Sequence, residues 1–324
     1  MTMKEKIIVI LLFILSVPSF GQNSFREASD LLPTEHTYFG GLGGGISAVD
    51  FDNDGLDDLT IASGESKNIG FYRNTGTGFE IVDLGILNFN EINQLIWGDY
   101  DNDGDQDLFV AAFEGINRLY RNNGSLILED ITFTSGLDLN LTNSYGASWT
   151  DINRDGLLDL LYCDRAFPLS LPENTNRLFI NNGNHKFTEI TAFANIEDKG
   201  KQPFMAVCAD LNKDLWPDVF VTHDRAKRTS LFINQKDSTF KDITEISNTS
   251  FFIDGMGVAI GDVNFDQEPD IYVTNIEDGN LLLINQGIDS NTNELLFNEE
   301  ADQRGCAVNI LTWGVNLFDA ENDG

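Results

Sequence analysis

The chain has 324 residues, with 52 Asp and Glu against 20 Lys and Arg, a formal net charge of -32. Hydrophobic residues make up 41%, enough for a packed core and too many for a disordered chain. So acidic a surface repels phosphates, which excludes sequence-independent nucleic-acid binding and disfavours adsorption to anionic lipid. Three Cys residues do not make a disulfide framework.

In chain order the first element is an address. Lys4 and Lys6 precede an uncharged apolar run over 7–17, and Ser19-Phe20-Gly21 places small residues before Gln22. These are the three parts of a secretory signal peptide over 1–21. The run is shorter than the ~20 residues a membrane span needs, and no later run is long enough. The expectation is an exported protein, secreted, periplasmic or on the cell surface, without membrane insertion, whose domain occupies 22–324.

The acidic residues then recur as a spaced set. The first copy has Asp50, Asp52, Asp54 and Asp58; the second has Asp99, Asp101, Asp103 and Asp107. Asp151, Asn153, Asp155 and Asp159 form the third, Asp210, Asn212, Asp214 and Asp218 the fourth, and Asp262, Asn264, Asp266 and Asp270 the fifth. A sixth begins at Asp319, Glu321 and Asp323. Steps of 49, 52, 59, 52 and 57 residues between first aspartates signal a repeat architecture. Oxygens at positions 1, 3 and 5 of a tight turn converge on one point. The backbone carbonyl at position 7 (Leu56, Asp105, Leu157, Trp216 or Glu268) and the carboxylate at position 9 complete the shell. An all-oxygen set of this kind suits Ca²⁺ and not a Cys/His zinc site, whereas Mg²⁺ usually keeps more water. Asp-rich turns also occur without metal, but five in register point to about five Ca²⁺ sites. Sites four and five are expected to be weaker, having Leu215 and Gln267 where the other three have Gly.

Short apolar strands flank each loop. First strands are expected at 46–49, 95–97, 147–149, 205–208, 258–260 and 315–318, and second strands at 59–62, 108–112, 160–163, 219–222 and 271–274. A third strand ends in a recurring Asn, at Asn74, Asn122, Asn181, Asn234 and Asn285, which suits a hairpin turn. The third repeat carries about six extra residues, within 167–174. A fourth strand follows at 79–80, 128–132, 187–191, 240–244 and 297–299. Four antiparallel strands per ~54 residues make one propeller blade. The fold class is therefore all-β, a β-propeller of about six four-stranded blades. A fourth-strand pattern at 25–29 would complete the outer edge of the last blade.

The loop pattern, followed by Leu119-Tyr120-Arg121-Asn122-Asn123-Gly124 and by Phe240-Lys241-Asp242-Ile243-Thr244, resembles the FG-GAP/VCBS repeat of integrin-α-type calcium propellers. Asn117-Arg118-Leu119-Tyr120-Arg121-Asn122 and Trp313-Gly314-Val315-Asn316-Leu317-Phe318-Asp319 resemble the cartilage acidic protein family, whose bacterial members are secreted and commonly carry an ASPIC/UnbV module. That resemblance implies seven blades, more than these residues supply, so a propeller truncated at its C-terminal side is expected.

No catalytic constellation is visible. His36, His185 and His223 fall in different repeats, and there is no Gly-x-Ser-x-Gly elbow. Trp97 and Trp149, each two residues before a first Asp, read as core. The Gly40–Gly45 cluster reads as close backbone packing. Cys163 and Cys208 read as buried thiols, and Cys306, in a connection, could pair with a partner. The expected role is a protein- or glycan-binding or adhesion module, with a propeller lectin or a calcium-dependent polysaccharide lyase as alternatives. On the face opposite the calcium turns the blade topology gathers Arg165, Lys199, Lys201, Arg225, Lys227 and Arg228. They either dock an acidic glycan or protein loop, or pair with local acids such as Asp164 and Asp224.

Overall fold

A computed structural model describes residues 44–65, 67–86, 90–165, 175–276 and 278–317. The signal segment, the strand expected at 25–29, most of the Gly40–Gly45 cluster and the insertion at 167–174 lie outside the described residues.

Five four-stranded antiparallel blades follow one another. Blade one is β1 (Ile46–Val49), β2 (Asp58–Ile61), β3 (Gly70–Asn74) and β4 (Phe79–Val82). Blade two is β5 (Glu91–Gly98), β6 (Asp107–Gly115), β7 (Arg118–Asn122) and β8 (Leu128–Asp130), with a short helix α1 (Thr132–Ser135) behind it. Blade three is β9 (Thr142–Thr150), β10 (Asp159–Asp164), β11 (Thr175–Asn181) and β12 (Phe187–Glu189), followed by α2 (Thr191–Ala194); the start of β9 also pairs with the end of β6, joining blades two and three in one eight-stranded sheet. In blade four, β13 (Pro203–Ala209) and β14 (Asp218–His223) precede a two-residue strand β15 (Lys227–Arg228), then β16 (Ser230–Asn234) and β17 (Phe240–Asp242). β15 pairs with β18 (Phe252–Ile253) outside the blade sheet. Blade five is β19 (Gly255–Gly261), β20 (Asp270–Asn275), β21 (Leu281–Ile288) and β22 (Leu295–Glu299). This is a β-propeller, as the repeat spacing predicts.

The first two strands of every blade are a hairpin whose connection is the acidic loop. The closing pairs are Val49 with Asp58, Gly98 with Asp107, Thr150 with Asp159, Ala209 with Asp218 and Gly261 with Asp270. The position-9 acid is thus always the first residue of the second strand.

The core lies between blades. Position 2 of loops one to four carries a large apolar side chain that packs in the junction with the next blade. Phe51 stacks on Trp97 at 5.3 Å between ring centroids, and Tyr100 on Trp149 at 6.0 Å. Ile152 and Leu211, fully buried, do the same work at the next two junctions. Both tryptophans are core residues as expected, and the Trp97 indole N–H donates to Thr60 Oγ1 at 2.9 Å. Inner strands approach closely: a Cβ on Gly146 would lie 2.8 Å from the Phe204 carbonyl, and one on Gly45 2.9 Å from that of Asn93.

Three expectations are corrected. The fourth strands of blades two to four stop short of the Ile-Thr pair. There the Thr132, Thr191 and Thr244 hydroxyls accept the N–H groups of Leu119, Leu178 and Leu231 at 2.9–3.0 Å, so a side chain replaces the next rung of the ladder. Second, the described part of 315–318, up to Leu317, forms no strand. It nevertheless lies where a sixth inner strand would start. A Cβ on Gly257 would meet the Trp313 carbonyl and the Val315 nitrogen, as Gly146 meets blade four. Thr274 Oγ1 donates to the Trp313 carbonyl at 2.6 Å. Third, Cys306 is buried beside Leu282 and Ile284, not offered to a partner. It is unpaired, like Cys163 and Cys208.

If the position-2 side chains hold the blades together, Ile152→Ala should cost about 2–5 kcal/mol, the range for emptying a fully buried aliphatic site. Leu141→Ala, at a side chain 77% exposed, should cost less than about 0.5 kcal/mol. Urea unfolding of the two variants checks this, and equal midpoints would contradict it.

Candidate metal centre

Each loop is shaped by its own aspartates. The position-1 carboxylate accepts the backbone N–H groups of positions 5 and 6. Asp50 takes those of Asp54 and Gly55 at 3.0 and 2.7 Å, and Asp210 those of Asp214 and Leu215 at 2.9 and 2.8 Å. The position-5 carboxylate accepts the N–H of position 7, as at Asp54 to Leu56 and Asp155 to Leu157, both 2.9 Å. This wrapping turns the oxygens inwards. Position 4 takes a left-handed conformation in all five loops, from Asn53 at φ 59° to Phe265 at φ 63°. Position 6 does so too, including Leu215 at φ 71° and Gln267 at φ 70°. Loops four and five therefore keep the geometry of the other three without glycine, although a side chain at such a φ costs roughly 1–2 kcal/mol.

The position-9 aspartates are the fixed points. Asp58, Asp107, Asp159, Asp218 and Asp270 are all 0% exposed. One oxygen of each accepts the position-2 N–H, at 3.0–3.2 Å. The other accepts the N–H of the recurring third-strand Asn, at 2.7–3.0 Å. Burial pushes the Asp107 carboxyl up to about 8 and those of Asp159 and Asp218 to about 7, against the lowering effect of these two N–H groups. Asp58 and Asp270 are raised for the same reason.

The recurring Asn does more than open a hairpin, the role its position in the sequence suggests. Its side-chain amide also caps the loop, as Asn122 Nδ2 does to the Gln106 carbonyl at 3.2 Å. In blades three to five it reaches the previous blade as well. Asn181, Asn234 and Asn285 donate to the position-2 carbonyls of Tyr100, Ile152 and Leu211 at 2.8–3.0 Å. Its identity in every repeat was the available signal, but nothing local marks a contact about 80 residues away.

The donor set fits a hard divalent cation. In loops one and two, oxygens of Asp50, Asp52 and Asp58, and of Asp99, Asp101 and Asp107, lie within 4.8 Å of one another. Oxygens bound at about 2.4 Å to one ion can be no farther apart than about twice that distance. Asp52 Oδ1 is also buried without any hydrogen-bond partner, an oxygen that a cation would satisfy. Loops three to five have Asn153, Asn212 and Asn264 at position 3, so they bring one fewer carboxylate to the same frame.

The six basic side chains on the other face do not form an open island. Arg165 is buried against Asp224 at 2.6 Å and lies over the Tyr145 ring. Lys201 meets Asp198 at 2.9 Å, Lys199 meets Glu197 at 3.0 Å and Arg228 meets Glu245 at 2.5 Å. Asp198 also accepts His223 Nε2 at 3.0 Å. Burial alone would raise the Asp198 carboxyl, but His223 and Lys201 outweigh it and hold it below the usual carboxylate range. Local pairing thus absorbs four of the six. Among the described residues, Arg225 and Lys227 make no ion pair; they sit on the ribbon segment that also holds Arg228 over the exposed Phe252 ring.

Models of the FG-GAP-like repeat match residues 50–110, 99–162 and 210–273, more than half of the chain between them. Each match starts on the first aspartate of a loop. No curated protein matches the chain in sequence. Among solved structures, an Agrocybe aegerita lectin that recognises non-reducing terminal N-acetylglucosamine is 17% identical over 76% of this chain and 63% of its own, with a TM-score of 0.47. A Photorhabdus luminescens Tc holotoxin pore is 15% identical over 71% of this chain and 11% of its own, with a TM-score of 0.36. The biofilm matrix protein Bap1 of V. cholerae is 11% identical over 74% of this chain and 37% of its own, with a TM-score of 0.36.

The raised position-9 acids give a pH signature. An unfolded aspartate titrates near 3.9, so without metal the folded chain holds extra protons between about pH 4 and 8. Its stability must then fall as pH rises through that window. The calcium-free melting temperature should be higher at pH 5.5 than at pH 8, and millimolar calcium should shrink or reverse that difference. A calcium-free melting temperature that climbs from pH 5.5 to 8 would contradict the assignment.

Proposed function

The chain belongs to the FG-GAP-like repeat family, and from that premise we propose that it is an exported, calcium-stabilised β-propeller that works as a binding or adhesion module and not as an enzyme. The observation that carries the calcium reading is the partnerless buried Oδ1 of Asp52, on a carboxylate that brings an oxygen within 4.8 Å of oxygens of Asp50 and Asp58. Calcium there neutralises acids that burial would otherwise drive to bind protons. Export rests on the signal pattern of residues 1–21; no helix among the described residues is long and apolar enough to cross a membrane. Within the family, the strings at 117–122 and 313–319 favour the cartilage acidic protein group with its ASPIC/UnbV module.

The loops opposite the calcium turns are the binding face. A rigid scaffold that presents loops is where binding residues concentrate. Among the described residues, Arg225 and Lys227 are the cations there without an acidic partner, on an otherwise acidic protein. The partner class is an acidic glycan or an acidic protein loop drawn to them electrostatically.

Extracellular calcium modules bind at about 10⁻⁴–10⁻³ M. At ~2 mM calcium a site with a Kd near 10⁻⁴ M adds about 1.8 kcal/mol. Calcium should therefore raise the melting temperature by more than about 5 °C over the chelated protein. Asp52→Ala removes a candidate ligand whose buried Oδ1 has no hydrogen-bond partner. It should reduce the calcium increment without destabilising the chelated protein, where the Asp52 charge is already disfavoured by burial and by Asp54 and Asp50. Loss of stability in chelator alone would show that Asp52 is structural and not a ligand.

For the binding face, Arg225→Ser with Lys227→Ser should elute from an immobilised uronic-acid polymer at lower salt than the parent. Identical elution of the two proteins would reject the assignment of this face.

A further inference from the structure

The five loops divide into two kinds, and the division runs through a residue outside the loop. Position 3 is Asp in loops one and two and Asn in loops three to five. The residue before the recurring third-strand Asn changes in step. It is Arg73 and Arg121 in the first two repeats and Ile180, Ile233 and Ile284 in the other three.

Hydrogen bonding gives the physical reason. One oxygen of the position-5 carboxylate is spent on the position-7 N–H, and the other needs a donor. In loops three and five the position-3 amide supplies it. Asn153 Nδ2 donates to Asp155 Oδ2 at 2.9 Å, and Asn264 Nδ2 to Asp266 Oδ2 at 2.8 Å. In loop four, Lys236 Nζ stands 3.3 Å from Asp214 Oδ2. An aspartate at position 3 has no proton to give. In loop two Arg121 takes over, with Nε donating to Asp101 Oδ2 at 2.8 Å and Nη2 to Asp103 Oδ2 at 3.0 Å. Loop one has the looser version, with Arg73 Nη1 at 3.8 Å from Asp52 Oδ2 and Nη2 on Glu80. The planar guanidinium can hold two carboxylates at once, which a lysine cannot do in the same geometry.

Charge follows the same rule. Four ligand carboxylates with one Arg in loop two, or three with an Ile in loops three and five, leave three uncompensated negative charges; in loop four Lys236 on Asp214 leaves two, and in loop one Arg73 is shared with Glu80.

We infer that Arg121, and more loosely Arg73, are built-in counter-charges: positioning residues that aim the position-3 and position-5 carboxylates of their loops and set the charge a bound calcium ion meets. The Asn–Ile pair is the alternative solution to the same constraint. This rests on the calcium reading above only for the affinity; the pairing itself concerns the metal-free loop.

Melting of the full chain decides it, with four proteins: the parent, Arg121→Ile, Asp101→Asn, and the two changes together. In chelator, Arg121→Ile should lower the melting temperature by about 2–4 °C, as Asp101 and Asp103 lose the guanidinium they share. Salt at 0.5 M should relieve part of that loss. Adding Asp101→Asn should restore most of it, because loop two then has the three ligand carboxylates and the position-3 amide of loop three. In a calcium titration, Arg121→Ile should need several-fold less calcium for half its stabilisation, since affinity rises with ligand charge, and the double change should return it to the parent value. The converse graft covers a variant that does not fold: Asn153→Asp should destabilise loop three, and Ile180→Arg should rescue it. A double variant no more stable in chelator than Arg121→Ile, or a graft without rescue, overturns the proposal. A parent whose melting ignores calcium overturns the calcium reading instead, while the comparison in chelator still decides the role of Arg121.

Discussion

A carboxylate buried at the end of each acidic loop is the constraint on which the rest of this fold depends. Asp58, Asp107, Asp159, Asp218 and Asp270 each open a second strand, lie out of contact with water, and accept one N–H from the loop and one from the third strand. Three parts of a blade therefore meet on one charged group. Two neutral donors do not make up for the hydration that a carboxylate loses on burial. The remaining deficit must be met by a proton or by a cation, and the neighbouring carboxylates favour the cation.

The same loop ties one blade to the next. Its position-2 side chain fills the junction, while its position-2 carbonyl is held by the third-strand Asn of the following blade at three junctions. Order in a loop is thereby transmitted to its neighbour, as expected of a stack whose stability is a sum of unit and nearest-neighbour terms. A cation bound in one blade would then steady two. This also explains why Leu215 and Gln267 are tolerated at a left-handed position: their N–H groups donate to Asp210 and Asp262 at 2.8 and 2.7 Å, which offsets the local backbone cost.

Much of this was legible in the sequence. The period, the loop positions and the first two strands follow from residue spacing, because hairpin register and Asx-type turns are local. The Trp97 and Trp149 core role was legible for the same reason, through their fixed register ahead of the loop. What escaped were contacts made across the fold. The Ile-Thr pair read as strand, because a hydroxyl replacing a ladder carbonyl leaves no trace in hydrophobic pattern. For the basic face the sequence leaves docking or local pairing open; Arg165, Lys199, Lys201 and Arg228 each find a carboxylate nearby, Arg165 on the expected Asp224 and the other three on acids that spacing does not single out. In so acidic a chain, the partners of a cation cannot be counted from spacing alone. The link between position 3 and the residue before the recurring Asn spans about 20 residues and appears only when Arg121 is seen on Asp101 and Asp103.

Long-wavelength anomalous diffraction from crystals grown in millimolar calcium tests the central claim most directly. The account predicts an anomalous peak in each of the five loops, about 2.3–2.6 Å from oxygens of positions 1, 3 and 9. Loops that hold only water, with the position-9 carboxyls protonated at neutral pH, would contradict it.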